Sequence, residues 1–147
     1  MLQRARFGAL AGVAGGIPFG MMMGMMGMLS KIAGMMGAQS AMVGFATHLM
    51  ISAMIGAGFG VLLGGLVTNR MRGAGAGAAY GMAWWVLGPL TMMPLLMGMG
   101  LGSQWNGAAI VAALPSLMGH VVYGVIAGVV FARLARGGSG SLVARTV

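Results

Sequence analysis

Residues 18–28 read Pro18-Phe19-Gly20-Met21-Met22-Met23-Gly24-Met25-Met26-Gly27-Met28, and residues 89–99 read Pro89-Leu90-Thr91-Met92-Met93-Pro94-Leu95-Leu96-Met97-Gly98-Met99. A proline, a Met-Met pair and a closing Met-Gly-Met recur at an offset of 71 residues. Further along, His48, Gly56 and Phe59 recur as His120, Gly128 and Phe131 at an offset of 72. Self-similarity at fixed spacing marks a tandem architecture. Each copy holds two apolar runs, so both copies enter the membrane in the same direction, and their symmetry axis is expected along the membrane normal. The expected fold is all-α: an integral membrane four-helix bundle of two tandem, parallel-oriented helix-pair repeats.

The apolar runs around these motifs set the expected spans at residues 7–29, 41–67, 75–99 and 108–134, within repeat units 7–67 and 75–136. Each run meets the roughly 20 residues that a helix needs to cross a bilayer. The whole chain, 1–147, is expected to be one transmembrane domain, with residues 137–147 as a flexible Gly/Ser tail. Arg4 and Arg6 precede the first run as they would in a signal peptide. The run is too long for that, and it is half of a repeat.

Composition narrows the function classes. Hydrophobic residues make up 59% of the 147 and charged residues 5%, with eight Lys+Arg and no Asp, Glu or Cys. Soluble domains carry about a quarter charged residues, so no water-facing surface can be built here. With no Asp or Glu, no carboxylate side chain can act as general base, proton relay, or calcium or magnesium ligand. Without cysteine there is no thiolate chemistry or disulfide. No catalytic constellation is present, and the chain is expected not to be an enzyme. The basic residues sit at the ends of apolar runs, so anionic lipid headgroups are the expected partner and nucleic acid is not.

The same residues set orientation. Arg4, Arg6, Arg70, Arg72, Arg133, Arg136 and Arg145 fall at one end of the expected bundle, and Lys31 at the other. The excess of positive charge inside predicts both termini in the cytoplasm. Small residues also recur every fourth position: Gly8, Gly12, Gly16, Gly20 and Gly24; Gly44, His48, Ser52, Gly56, Gly60 and Gly64; Ser116, His120, Gly124, Gly128 and Ala132. Such stripes let helix backbones approach closely in lipid.

Tyr80-Gly-x-x-Trp84-Trp85-x-Leu87-Gly88-Pro89-Leu90-x-x-Met93-Pro94, then Gly119-His120-x-x-Tyr123-Gly124, with His48-Leu49-x-x-Ser52 in the second run, resembles a group of uncharacterised small four-helix membrane proteins of prokaryotes. The resemblance covers most of the chain. It implies the fold and a prokaryotic cytoplasmic membrane location, and it carries no activity.

His48 and His120 are the only ionisable groups deep within the expected spans, which makes them the candidate ligand-binding residues. In a purely structural role each imidazole bonds a backbone carbonyl or a hydroxyl from Thr47, Ser52 or Ser116. As ligands they would hold a haem- or chlorophyll-type tetrapyrrole in the bundle, or Cu(I) together with methionine thioethers. The candidate metal set is Met22, Met26 and their repeat partners Met93 and Met97. Against it, residues 21–28 circle a helix completely, and Met fills gaps in glycine-rich packing well. Trp84 and Trp85 point in different directions, so one is expected to meet a neighbouring helix or a bound molecule.

The leading functional expectation is a non-enzymatic protein acting through helix packing, as a homo-oligomer or as an accessory subunit beside other membrane subunits. Ligand or metal handling at His48 and His120 is the alternative. A small-molecule or lipid transporter is a weaker third, because Ser52, Thr91 and Ser116 provide only a thin polar path.

Overall fold

A computed structural model describes the backbone of residues 1–143 and the side chains of residues 1–137. It is all-helical, with no strand among the described residues. The elements are α1 (Leu2–Met25), a short α2 (Leu29–Gly34), α3 (Ala41–Leu62), α4 (Arg70–Leu87), a π-helical turn (Gly88–Met92), α5 (Met93–Leu96) and α6 (Gly107–Val143). Three helices are long and apolar enough to cross a membrane: Leu2–Met25, Ala41–Leu62 and the Gly107–Gly137 portion of α6. Their apolar residues surround the helix, as expected where lipid replaces water. α4, 18 residues long and opening on Arg70 and Arg72, does not qualify.

Element ends differ from the apolar runs for local reasons. α1 stops at Met25 because Gly27 takes φ +66° in a Schellman cap, with Met28 N–H on the Met23 carbonyl and Gly27 N–H on that of Gly24. The later Met-Gly-Met does the same: Gly98 has φ +79°, Met99 N–H bonds the Pro94 carbonyl and Gly98 N–H that of Leu95. Asn69 caps α4 by accepting from Arg72 N–H at 2.8 Å, and Asn106 accepts from Ala109 N–H at 3.0 Å at the start of α6. α6 continues to Val143, through most of the expected tail; the last four residues, 144–147, lie outside the described residues, as does Arg145.

The helices associate through the small-residue stripes. On α1 and α3, a Cβ added to Gly8, Gly12 or Gly56 would strike backbone of the facing helix at Gly56, Ser52 or Gly8 and Gly12. α4 and α6 repeat this with Gly73, Gly77 and Gly81 against Gly128, Gly124 and His120. Only hydrogen at these positions allows backbones so close, and contact packing is what holds helices together in lipid. The two pairs differ in register. By the sequence offsets Gly77·Gly124 corresponds to Arg6·Ser52, yet Ser52 faces Gly12. α4 is therefore slid along α6 by six residues, about 9 Å at 1.5 Å per residue.

α1 also packs along α6, which joins the two pairs. α3 and α4, on the other diagonal, do not close in the same way; Tyr80 reaches across, its hydroxyl donating to the Ile55 carbonyl at 2.9 Å. A small aromatic core lies beneath this bridge, with Phe59 between Tyr80 and Phe131. Towards the chain termini the bundle is tight. Towards the connections that carry Lys31 and Trp105, it opens.

Candidate functional site

The opening is a partly open, mainly apolar cavity of about 730 Å³. Its walls come from the end of α1, α2, α3, α4 with its π turn, and the start of α6. The local sequence explains why the bundle does not close here. Pro89, Pro94 and Pro115 each lack an N–H and interrupt the helical ladder. Gly88–Met92 winds as a π turn, a form that often marks functional positions. Thr91 steadies that turn: its hydroxyl donates to the Val86 carbonyl at 2.7 Å and accepts from Trp105 Nε1 at 3.2 Å.

All six sequence candidates, His48, His120, Met22, Met26, Met93 and Met97, line this one cavity. Met22 and Met93 are half-buried, whereas Met26 and Met97 are exposed at 49% and 67% and form its rim. Nine of the 19 methionines face the cavity, among them Met22, Met26 and Met28 with their repeat partners. The expectation that residues 21–28 spread around the helix holds for Met21 and Met25, which lie outside the lining at 62% and 83% exposure. The others converge because α1 ends at Met25 and the chain turns back through Met28 into α2.

Of the two kinds of partner expected, backbone carbonyl or hydroxyl, the histidines bond chiefly to backbone carbonyls. His120 Nδ1 lies 2.7 Å from the Ser116 carbonyl, one turn earlier on α6. A carbonyl only accepts, so Nδ1 carries the proton and, in the neutral ring, Nε2 keeps a lone pair. That Nε2 has no hydrogen-bond partner among the described residues, and faces the cavity-lining Gly88, where a Cβ would sit 3.9 Å away. His48 uses the opposite nitrogen: Nε2 donates to the Gly16 carbonyl of α1 at 3.0 Å, with Ser52 Oγ 3.5 Å away, which leaves the lone pair on Nδ1.

Phe19, not singled out from the sequence, contacts both imidazoles. Its ring centroid is 5.2 Å from that of His48 and 4.7 Å from that of His120, with both contacts edge-on. Trp85 meets the neighbouring helix, as expected of one of the two tryptophans. Its Nε1 donates to the Ala113 carbonyl and to Ser116 Oγ, both at 3.1 Å, and so braces the turn that orients His120. Trp84 lines the cavity. Two contributions were missed from the sequence: Phe19, an ordinary apolar residue there, and α2 with the Met35 that follows it, which bring Lys31, Ile32 and Met35 to the cavity. A Gly73/Gly77/Gly81 stripe on α4 was visible at four-residue spacing and foretells the close α4·α6 approach.

Chemically, the cavity offers imidazole lone pairs and thioether sulfur within apolar walls. Among the described residues no group of three or more His, Cys, Asp or Glu is placed to hold a metal ion. The chain matches no protein-family model, no curated protein and no solved structure.

Proposed function

We propose that this protein is a four-span membrane bundle of two tandem repeats that holds a ligand in the cavity between them and catalyses no reaction. The observation that carries the reading is convergence: His48 with His120, and three repeat-related methionine pairs, line one cavity.

The fourth span is supported by unbroken helical winding across residues 70–96, about 40 Å at 1.5 Å per residue, against a hydrocarbon core of about 30 Å. The matched Schellman turns at Gly27 and Gly98 support the repeat. So does the direct contact between the repeat-related rings of Phe59 and Phe131. The slide of α4 confines that equivalence to the ends and the core. The arginines of α1, α4 and α6 gather at the terminal end and Lys31 lies at the other, which favours cytoplasmic termini and a cavity facing outwards. Together with the resemblance noted above, this supports the prokaryotic cytoplasmic membrane as the location.

The test is purification in mild detergent followed by an optical spectrum and elemental analysis. A co-purifying chromophore or metal that is lost in the His48→Ala/His120→Ala variant is expected. A wild-type protein carrying neither, or carriage indifferent to both histidines, contradicts the reading.

A second reading, packing against another membrane subunit or a second copy, has its own observation. Gly75, Ala79 and Ala83 are exposed at four-residue spacing on α4, and nothing lies within 4 Å of where a Cβ at Gly75 would sit. It predicts a stoichiometric partner in gentle extraction, and a lone monomer would count against it. Lipid covers the remaining apolar surface.

A further inference from the structure

Resting on the ligand-holding reading, we propose that the ligand is a soft monovalent cation, Cu(I), for which Ag(I) is a redox-inert probe. The donors are methionine sulfur and the free imidazole nitrogens.

The donor set selects the metal. Thioether and imidazole suit Cu(I), while calcium, magnesium and manganese need carboxylate or carbonyl oxygen. No side chain in the sequence is a carboxylate or a thiol. All available donors are neutral, so nothing offsets the second charge of a divalent ion within lipid.

The donors also form a graded series in depth. Met26 and Met97 are exposed at the rim, Met22, Met93 and His120 are half-buried, and His48 is buried with only 6% of its surface exposed. An ion entering from the mouth would thus meet the Met26 and Met97 thioethers first and the His48 imidazole last. Lys31 stands at the mouth but is exposed, where salt screens its charge.

His120 has the set-up of a metal ligand. Its Nδ1–H is fixed on the Ser116 carbonyl, which is the usual outer-shell partner that fixes the tautomer and aims the other nitrogen. Trp85 reinforces that same turn through Ser116 Oγ.

A tetrapyrrole fits less well. Ligation by both histidines needs their nitrogens about 4 Å apart across the metal, from two bonds of about 2 Å. The Phe19 ring packs edge-on against both imidazoles and competes for the space that a macrocycle beside them would need. Nine flexible methionines also make a poor slot for a rigid macrocycle, although they can re-pack around an ion.

The experiment is a titration of the purified full-length protein with Ag(I) in detergent. A saturable site is expected, weakened about tenfold or more in His120→Ala. A second variant, Met22→Leu/Met93→Leu, keeps side-chain volume and removes two sulfurs; it is expected to stay folded and also lose about tenfold in Ag(I) affinity. Met21→Leu/Met25→Leu, outside the cavity, should bind as wild type. If the Met22→Leu/Met93→Leu variant binds Ag(I) like wild type, the methionines are filler and the proposal is wrong. Histidine-dependent binding of haemin without Ag(I) binding would overturn the proposal and leave the ligand-holding reading intact. If neither probe binds in a histidine-dependent way, both fall.

Discussion

Phe59 and Phe131, 72 residues apart in the sequence, meet edge to face with their ring centroids 5.7 Å apart and only 1% of each exposed. The contact joins α3 to α6, so these rings tie the α1·α3 pair to the α4·α6 pair. Edge-to-face geometry sets the positive edge of one ring on the negative face of the other. Replacing Phe59 with Ala removes this contact and the one with Tyr80. In soluble proteins Phe→Ala costs about 3–5 kcal/mol. Here the unfolded reference is already in lipid, so the transfer part vanishes and the loss of packing remains. The expected destabilisation is below that range and still measurable by denaturation in mixed micelles. An unchanged denaturation midpoint would show that the pairs are held together elsewhere.

The glycine stripes make a sharper prediction. Gly56→Ala places a methyl against the Gly8 carbonyl and Gly12, and Gly77→Ala places one against the Gly124 carbonyl. Each should cost about 1–3 kcal/mol through overpacking. Gly75→Ala, with open space around it, should be neutral or slightly stabilising because alanine favours helix. Equal behaviour of Gly56→Ala and Gly75→Ala in the same denaturation assay would contradict the close approach of α1 to α3.

Tyr123 crosses from α6 to α3, where its hydroxyl donates to the Ser52 carbonyl at 2.8 Å. Tyr123→Phe deletes this bond and keeps the ring. Interhelical hydrogen bonds in membranes average only about 0.6 kcal/mol, so a small loss is expected, well under that of either buried glycine variant. A loss as large as theirs would mean that α3 and α6 depend on polar contacts more than on packing.

Much of this arrangement was legible from residues 18–28 and 89–99. Glycine spacing foretold which faces meet, since Gly8, Gly12, Gly56 and Gly128 do lie at helix crossings. The two histidines and the four candidate methionines could be named because polar and sulfur-bearing groups stand out in an apolar chain. Other features were hidden for physical reasons. The turn at Gly27 depends on a left-handed backbone angle that hydropathy does not register, so the first run seemed to reach Leu29. The π turn at Gly88–Met92 and the slide of α4 are outcomes of tertiary fitting around Pro89 and Pro94. Phe19 became part of the site only through its place between two helices distant in sequence.

The most direct test of the central claim, a cavity that reaches His48 and His120 from the Lys31 side, uses the absence of cysteine from the chain. Single cysteines at Ala113 and Ile55 would line the cavity, and one at Met54, 68% exposed on α3 and outside the lining, would face lipid. Thiols react as thiolates, which form in water and not in hydrocarbon. A membrane-impermeant thiol reagent added to right-side-out vesicles is expected to label Ala113→Cys and Ile55→Cys, and to spare Met54→Cys. Silence at all three positions, or labelling of Ala113→Cys and Ile55→Cys only in inverted vesicles, would contradict the account.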